Sequence, residues 1–167
     1  VNPLALGKLA LSDGEQDFGA IVVDLGGGQS TAAVIHDHQL KFTAIDQEGG
    51  DHMTKDISGV LNTSIENAEK AKRDYGNADS LAASEEQIPI EVVGQALPVQ
   101  VTEKKLAEII EARTMQIFDR LKAELDKVHA FDMPGGVIMT GGVTALPGIV
   151  DLAKEIFNCP VKLYIPD

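Results

Sequence analysis

The sequence predicts an α/β fold: a mixed sheet with helices, carrying a smaller inserted α+β subdomain. Three observations predict it. A β-branched run at residues 19–24 ends in three glycines and is followed by two more strand-like segments. A strand–helix–strand pattern closes the chain over residues 137–165. Between them, residues 62–130 hold helices and a short hairpin of different composition, so both flanks return to one parent sheet.

Taken in order, Leu4, Leu6, Leu9 and Leu11 suggest a short helix end, closed by the polar turn Ser12-Asp13-Gly14-Glu15. Gly19-Ala20-Ile21-Val22-Val23-Asp24 is apolar at nearly every position, the pattern of a strand buried on both faces. Gly26-Gly27-Gly28 breaks it. Residues 30–36 resume as a second strand, Asp37-His38 turns, and residues 40–45 form a third, completing an antiparallel meander. Gly49-Gly50-Asp51 is a turn with Asp51 as N-cap of a helix that carries Met53, Ile57, Val60 and Leu61 and stops at Asn62. Thr63 and Glu66 have capping-box spacing for the next helix, which runs to Tyr75 and ends with Gly76 as its C′ residue.

Residues 77–86 are polar and predict a loop. Residues 88–93 and 97–101 are short strands about a Gly94-Gln95 turn, and Pro89 and Pro98 suggest edge strands or strand starts. Thr102 caps the longest helix, residues 103–128, whose apolar stripe includes Leu106, Ile110, Ile117, Phe118, Leu121 and Leu125. Residues 137–140 are a buried strand closed by Gly141-Gly142. Pro147 sits early in a helix over residues 147–157, and residues 161–165 are the last strand.

The chain has 167 residues, with 14 Lys and Arg against 26 Asp and Glu, a formal net charge of -12. That length suits one domain or two small lobes at roughly 100–200 residues per domain. The acidity argues against nucleic acid and against an anionic membrane surface as direct partners. No stretch approaches the ~18 apolar residues of a membrane span, and residues 1–11 lack the basic start of a signal peptide. Cys159 is the only cysteine, so there is no internal disulfide or cysteine metal cluster, and a reducing setting fits. The start at Val1 and the end at Asp167 read as those of a piece of a longer protein.

Three segments could carry chemistry. In Asp24-Leu25-Gly26-Gly27-Gly28-Gln29-Ser30, an acid ends a buried strand and glycines let successive N–H groups point into one concavity. Such a nest takes an anion, and the rim carboxylate can hold Mg²⁺ through water; a plain hairpin turn has the same pattern. At Thr140-Gly141-Gly142-Val143, backbone without side chains would let a ring or ribose approach, or simply link strand to helix. Glu69, Lys72 and Arg73 lie three and four apart on one helix, as a ribose grip or as a solvated charged face. His36, His38, His52 and His129 are scattered without partners at metal spacing.

Two glycine-ended strands, an acid on the first and a helical insert between them together resemble the second half of the actin/Hsp70/sugar-kinase ATPase fold, an actin-like, ribonuclease H-like lobe. Within it the chain most resembles the FtsA family of bacterial actin-like cell-division proteins, in its Gram-positive form. The carriers are the runs F-G-A-I-V-V-D-L-G-G-G-Q-S-T, E-G-G-D-H-M-T-K-D-I-S-G-V-L-N-T-S, A-E-K-A-K-R-D-Y-G, L-A-E-I-I-E-A-R and I-M-T-G-G-V-T-A-L-P-G-I, which span nearly the whole chain. The resemblance implies subdomain 2A at residues 1–61 and 131–167, and subdomain 2B at residues 62–130.

It further implies ATP and Mg²⁺ as cofactors. Asp24 would hold Mg²⁺ through water, and the N–H groups of Gly26, Gly27 and Gly28, with Gln29 beside them, would meet the β- and γ-phosphates. Gly141, Gly142 and Val143 would pass beneath the adenosine, and Glu69, Lys72 and Arg73 would line ribose and adenine. The family polymerises into filaments, tethers FtsZ to the cytoplasmic membrane at the division site and meets other division proteins. The FtsZ C-terminal tail docks on 2B, where Lys104, Lys105 and above all Arg113 are the candidate contacts.

Many relatives carry Thr after the glycines and Asp two positions on, where this chain has Gln29 and Thr31. The first phosphate loop and the C-terminal membrane helix of the family are not in this sequence. With half the cleft missing, the chain by itself is expected to bind ATP feebly and not to hydrolyse it. Two alternatives remain: a partner-docking module with vestigial nucleotide loops, or another ATPase of the same fold, MreB-like or Hsp70-like.

Overall fold

A five-stranded mixed sheet in the order β3-β2-β1-β6-β7 carries the chain in the computed structural model, which describes residues 2–166. Val1 and Asp167, the outer ends of the two segments expected to form subdomain 2A, lie outside the described residues. β1 (Ala20–Leu25), β2 (Ser30–His36) and β3 (Gln39–Asp46) form the expected antiparallel meander. β6 (Val137–Thr140) runs parallel to β1, and β7 (Val161–Leu163) parallel to β6.

β1 explains its own sequence. Ile21, Val23 and Leu25 belong to the large core on one face, and Ala20 and Val22 to a smaller cluster on the other. Both faces of the strand are therefore dry, so alternation disappears from the sequence. The large face is covered by α3 (Gly50–Leu61), α5 (Glu103–Lys127) and α6 (Ile149–Phe157), through Met53, Ile57, Leu106, Ile110, Phe118 and Phe157. The rings of Phe118 and Phe157 meet at 5.2 Å between centroids. The small face is covered by α1 (Pro3–Ala10), with Leu4 and Leu6 packed on Val22, Ile35 and Ile138.

α4 (Ile65–Tyr75) follows α3, and β4 (Gln87–Ile90) pairs antiparallel with β5 (Val99–Thr102) in a separate two-stranded sheet. The large core continues through α5 into Ile88 and Ile90 of that hairpin. No helix among the described residues is long and apolar enough to cross a membrane.

Local details differ from expectation. Ser12-Asp13-Gly14-Glu15 is not a closing turn but the start of a helix, α2 (Asp13–Phe18), in which Ser12 and Glu15 form a capping box. Gly49, not Asp51, is the N-cap of α3, and its N–H donates to Nδ1 of His52 at 3.1 Å. Ser64 rather than Thr63 caps α4, while the Thr63 hydroxyl donates to the Glu91 carbonyl. Gly76 has φ -65°, so it is not there for a left-handed turn. A Cβ at Gly76 would strike the Lys72 carbonyl and lie 2.9 Å from Leu146. The hairpin strands are shorter than expected, and α6 begins two residues after Pro147.

Candidate functional site

Pairing of β1 with β6 places Asp24 opposite Thr140, so the two glycine-ended strands finish side by side. After β1 the chain turns sharply, closed by the Gly26 N–H donating to the Gln29 carbonyl at 3.1 Å. That bond uses the Gly26 N–H, which corrects its expected role as a phosphate contact. The N–H groups of Gly27 and Gly28 have no partner among the described residues, and a Cβ on Gly28 would meet nothing within 4 Å.

The turn is buttressed by the segment between β3 and α3. Gly50 N–H donates to the Gly26 carbonyl at 3.0 Å, and Asp51 N–H to the Gly27 carbonyl at 2.9 Å. Ser30 Oγ donates to the Glu48 carbonyl at 2.8 Å. Gly49 must be glycine, because a Cβ there would fall on the carbonyl oxygens of Gly26 and Gly27. Beyond β6, Gly141 has φ +100°, and a Cβ on it would lie 2.6 Å from Asp24 Oδ1 and against the Leu25 carbonyl. The Asp24 carboxylate thus rests against bare backbone. Gly142, next along, faces open space.

Two hollows meet here. One of about 530 Å³ is lined by Asp24, Gly26, Gly27, Gly28, Gln29, Thr31, Gly141 and Gly142. The other, of about 290 Å³, runs from Gly27 and Gly142 past Gly50, Asp51 and Val143 to Glu69, Lys72 and Arg73, with Leu146 and Pro147 as its apolar wall. Gly27 and Gly142 line both, so the hollows adjoin along one side of the molecule's glycine turns. Gly50, Asp51, Leu146 and Pro147 were not among the expected site residues. The signal for the first two was the E-G-G-D run, legible only as a turn.

Glu69, Lys72 and Arg73 converge on the cleft, but not equally. The Lys72 ammonium donates to the Gly50 carbonyl at 2.9 Å, to Thr54 Oγ1 at 2.8 Å and to Glu69 Oε2 at 2.8 Å. Three acceptors satisfy its three protons, and the side chain is only 11% exposed. Lys72 is therefore a strut between α4 and the first turn of α3, with no proton left to give a ligand. Burial pushes the Glu69 carboxyl up, but hydrogen bonds from Lys72 and Thr54 outweigh it and hold the group below its ordinary value. Arg73 touches Glu69 at 3.4 Å and is 74% exposed, free to swing over the cleft.

The three candidate partner contacts also separate. Lys104 pairs with Glu85 at 3.2 Å and Lys105 with Glu108 at 3.8 Å, both at the surface. Arg113 instead faces inward. Its Nε and Nη2 grip both oxygens of Asp56 at 2.7 and 2.8 Å, and its Nη1 donates to Glu48 at 2.8 Å. Hydrogen bonds from the guanidinium to Asp56, and then to Glu48, raise its pKa well above the ordinary value.

A family model described as cell division protein FtsA matches residues 21–167. The chain belongs to the FtsA family. It is 55% identical, over its whole length, to the cell division protein FtsA of Enterococcus hirae, and covers 38% of that protein. Against FtsA of Streptococcus pneumoniae serotype 2 the identity is 48%, again over the whole chain and 36% of the relative. The chain thus spans less than half the length of the FtsA relatives it matches. Among solved structures, MreB5 of Spiroplasma citri bound to ADP superposes with a TM-score of 0.80 at 20% identity, over 98% of this chain and 53% of that one. The chain therefore has the actin-like fold expected of it.

Proposed function

We propose that this chain is one wall of an ATP cleft in an FtsA-type division protein, which forms filaments and tethers FtsZ to the inner face of the membrane. The observation that carries the reading is the side-by-side ending of β1 and β6, with Asp24 seated against Gly141 and one cleft running past both. The residues fit the nucleotide. Gly27 and Gly28 offer unpartnered N–H groups to phosphate oxygens, and the open backbone at Gly142 with the apolar wall at Leu146 and Pro147 suits an adenosine. Asp24 would hold Mg²⁺ through water, and the charge of that ion would offset repulsion between the carboxylate and the phosphates.

Among the described residues, no Lys or Arg lines the phosphate end of the cleft. Charge neutralisation must come from Mg²⁺ and from the remainder of the protein. That supports feeble binding and no turnover by this chain alone. In this reading residues 1–61 and 131–167 are subdomain 2A and residues 62–130 subdomain 2B, with Lys104 and Lys105 facing the FtsZ tail.

A second reading, a docking module with vestigial loops, is favoured by the inward commitment of Lys72. Titration of the full-length protein with a fluorescent ATP analogue and Mg²⁺ separates the two. Under the ATP reading, Asp24→Ala weakens binding at least about tenfold. Unchanged affinity would leave the docking reading standing.

A further inference from the structure

Arg113 does not behave as a surface cation, and its contacts lead to the phosphate end of the cleft. Its guanidinium joins α5 to Asp56 in α3 and to Glu48 in the segment before α3. Arg120, two turns further along α5, donates to the same Glu48 oxygen at 2.8 Å. Glu48 is thus held by two guanidinium groups from one helix. Behind it, the buried Asp46 accepts the Glu48 N–H at 3.1 Å, and Ser30 donates to the Glu48 carbonyl. The residues that follow, Gly50 and Asp51, donate to the carbonyls of Gly26 and Gly27.

Peptide planarity carries the argument across the last step. The Gly26 carbonyl and the Gly27 N–H share one rigid plane and point in opposite directions, as do the Gly27 carbonyl and the Gly28 N–H. Glycine peptides flip easily because no Cβ opposes them. Pinning those two carbonyls from the α3 side therefore aims the two free N–H groups the other way. Resting on the proposed ATP site, we propose that Arg113 and Arg120 are positioning residues for phosphate. Through Glu48 they fix the turn at residues 48–51, and that turn orients the Gly27 and Gly28 N–H groups. By linkage, phosphate bound at those groups stabilises the grip of α5 on Glu48.

The test uses the full-length protein with a fluorescent ATP analogue and Mg²⁺, with adenosine as a competing probe that has no phosphate. Glu48→Gln and Arg113→Gln each weaken ATP by about tenfold, since a small misplacement of binding groups costs about that much or more. The double variant loses less than the two single losses combined, because both remove the Arg113–Glu48 contact. Adenosine affinity stays within about twofold, which a general loosening of the fold would not allow. Hydrogen exchange in the peptide covering residues 49–53 rises in both variants. Asp24→Ala serves as the control for the site itself. Loss of ATP affinity in Asp24→Ala with none in Glu48→Gln, or equal loss of ATP and adenosine, overturns the clamp while leaving the site intact. No change in Asp24→Ala removes the ATP reading, and this inference with it.

Discussion

The glycine turns after β1 and β6 look alike in sequence and are glycine-rich for different reasons. After β6, Gly141 is forced by packing: its φ is +100° and its missing Cβ leaves room for Asp24 and Leu25. After β1, a Cβ on Gly28 would meet open space among the described residues. The first kind of glycine serves the fold. The second has no packing reason of that kind, and a phosphate at the proposed site would supply one. Support differs too: the β1 turn is held from outside by Gly50, Asp51 and the Glu48 clamp, whereas the β6 turn closes on itself through Thr144, whose N–H and hydroxyl both donate to the Gly141 carbonyl.

The largest effect should fall on the forced glycine. Gly141→Ala adds a clash to a left-handed backbone and should cost about 2–4 kcal/mol of stability, read as a lower urea midpoint at unchanged slope. A cost within about 0.5 kcal/mol would erase the distinction between the turns. Next in size is Gly28→Ala. Its stability should stay within about 0.5 kcal/mol of the parent, while Mg-ATP affinity falls by about threefold or more because the methyl enters the phosphate space. Loss of stability without loss of affinity would make this glycine structural as well.

The smallest effect concerns pH. Hydrogen bonds from Arg120 and then Arg113 hold the Glu48 carboxyl below its ordinary value. A depressed folded-state pKa means that the stabilisation is fully present above the ordinary carboxylate value of about 4.3 and is lost as pH falls through the folded value. The stability gap between the parent and Glu48→Gln should therefore be constant near neutrality and narrow below about pH 4.5 in denaturant titrations. A gap that does not narrow at any pH down to acid unfolding would show that the ion pairs do not hold the turn.

Much of the fold was legible because burial writes directly into sequence. The unbroken run of β1, the apolar stripe of α5 and the caps at Asn62 and Thr102 each have a local cause. α2 was missed because six residues are too few for a helical period, and Ser, Asp and Gly are turn formers as well as cap formers. The site was half legible. Asp24, Gly141 and Gly142 stood at strand ends where their chemistry could be guessed. The commitment of Lys72 to Gly50 spans 22 residues, and that of Arg113 to Glu48 spans 65. No local pattern encodes either.

The sequence by itself determined which segments are strands and helices, and that two strands end in glycine with an acid on the first. Those properties depend on neighbours a few residues away, through side-chain periodicity and backbone freedom. Only the tertiary structure decided which cations are free. A guanidinium or ammonium is satisfied by whichever carboxylate or carbonyl the fold brings within about 3 Å, and that depends on how α3, α4 and α5 pack rather than on spacing along any one of them.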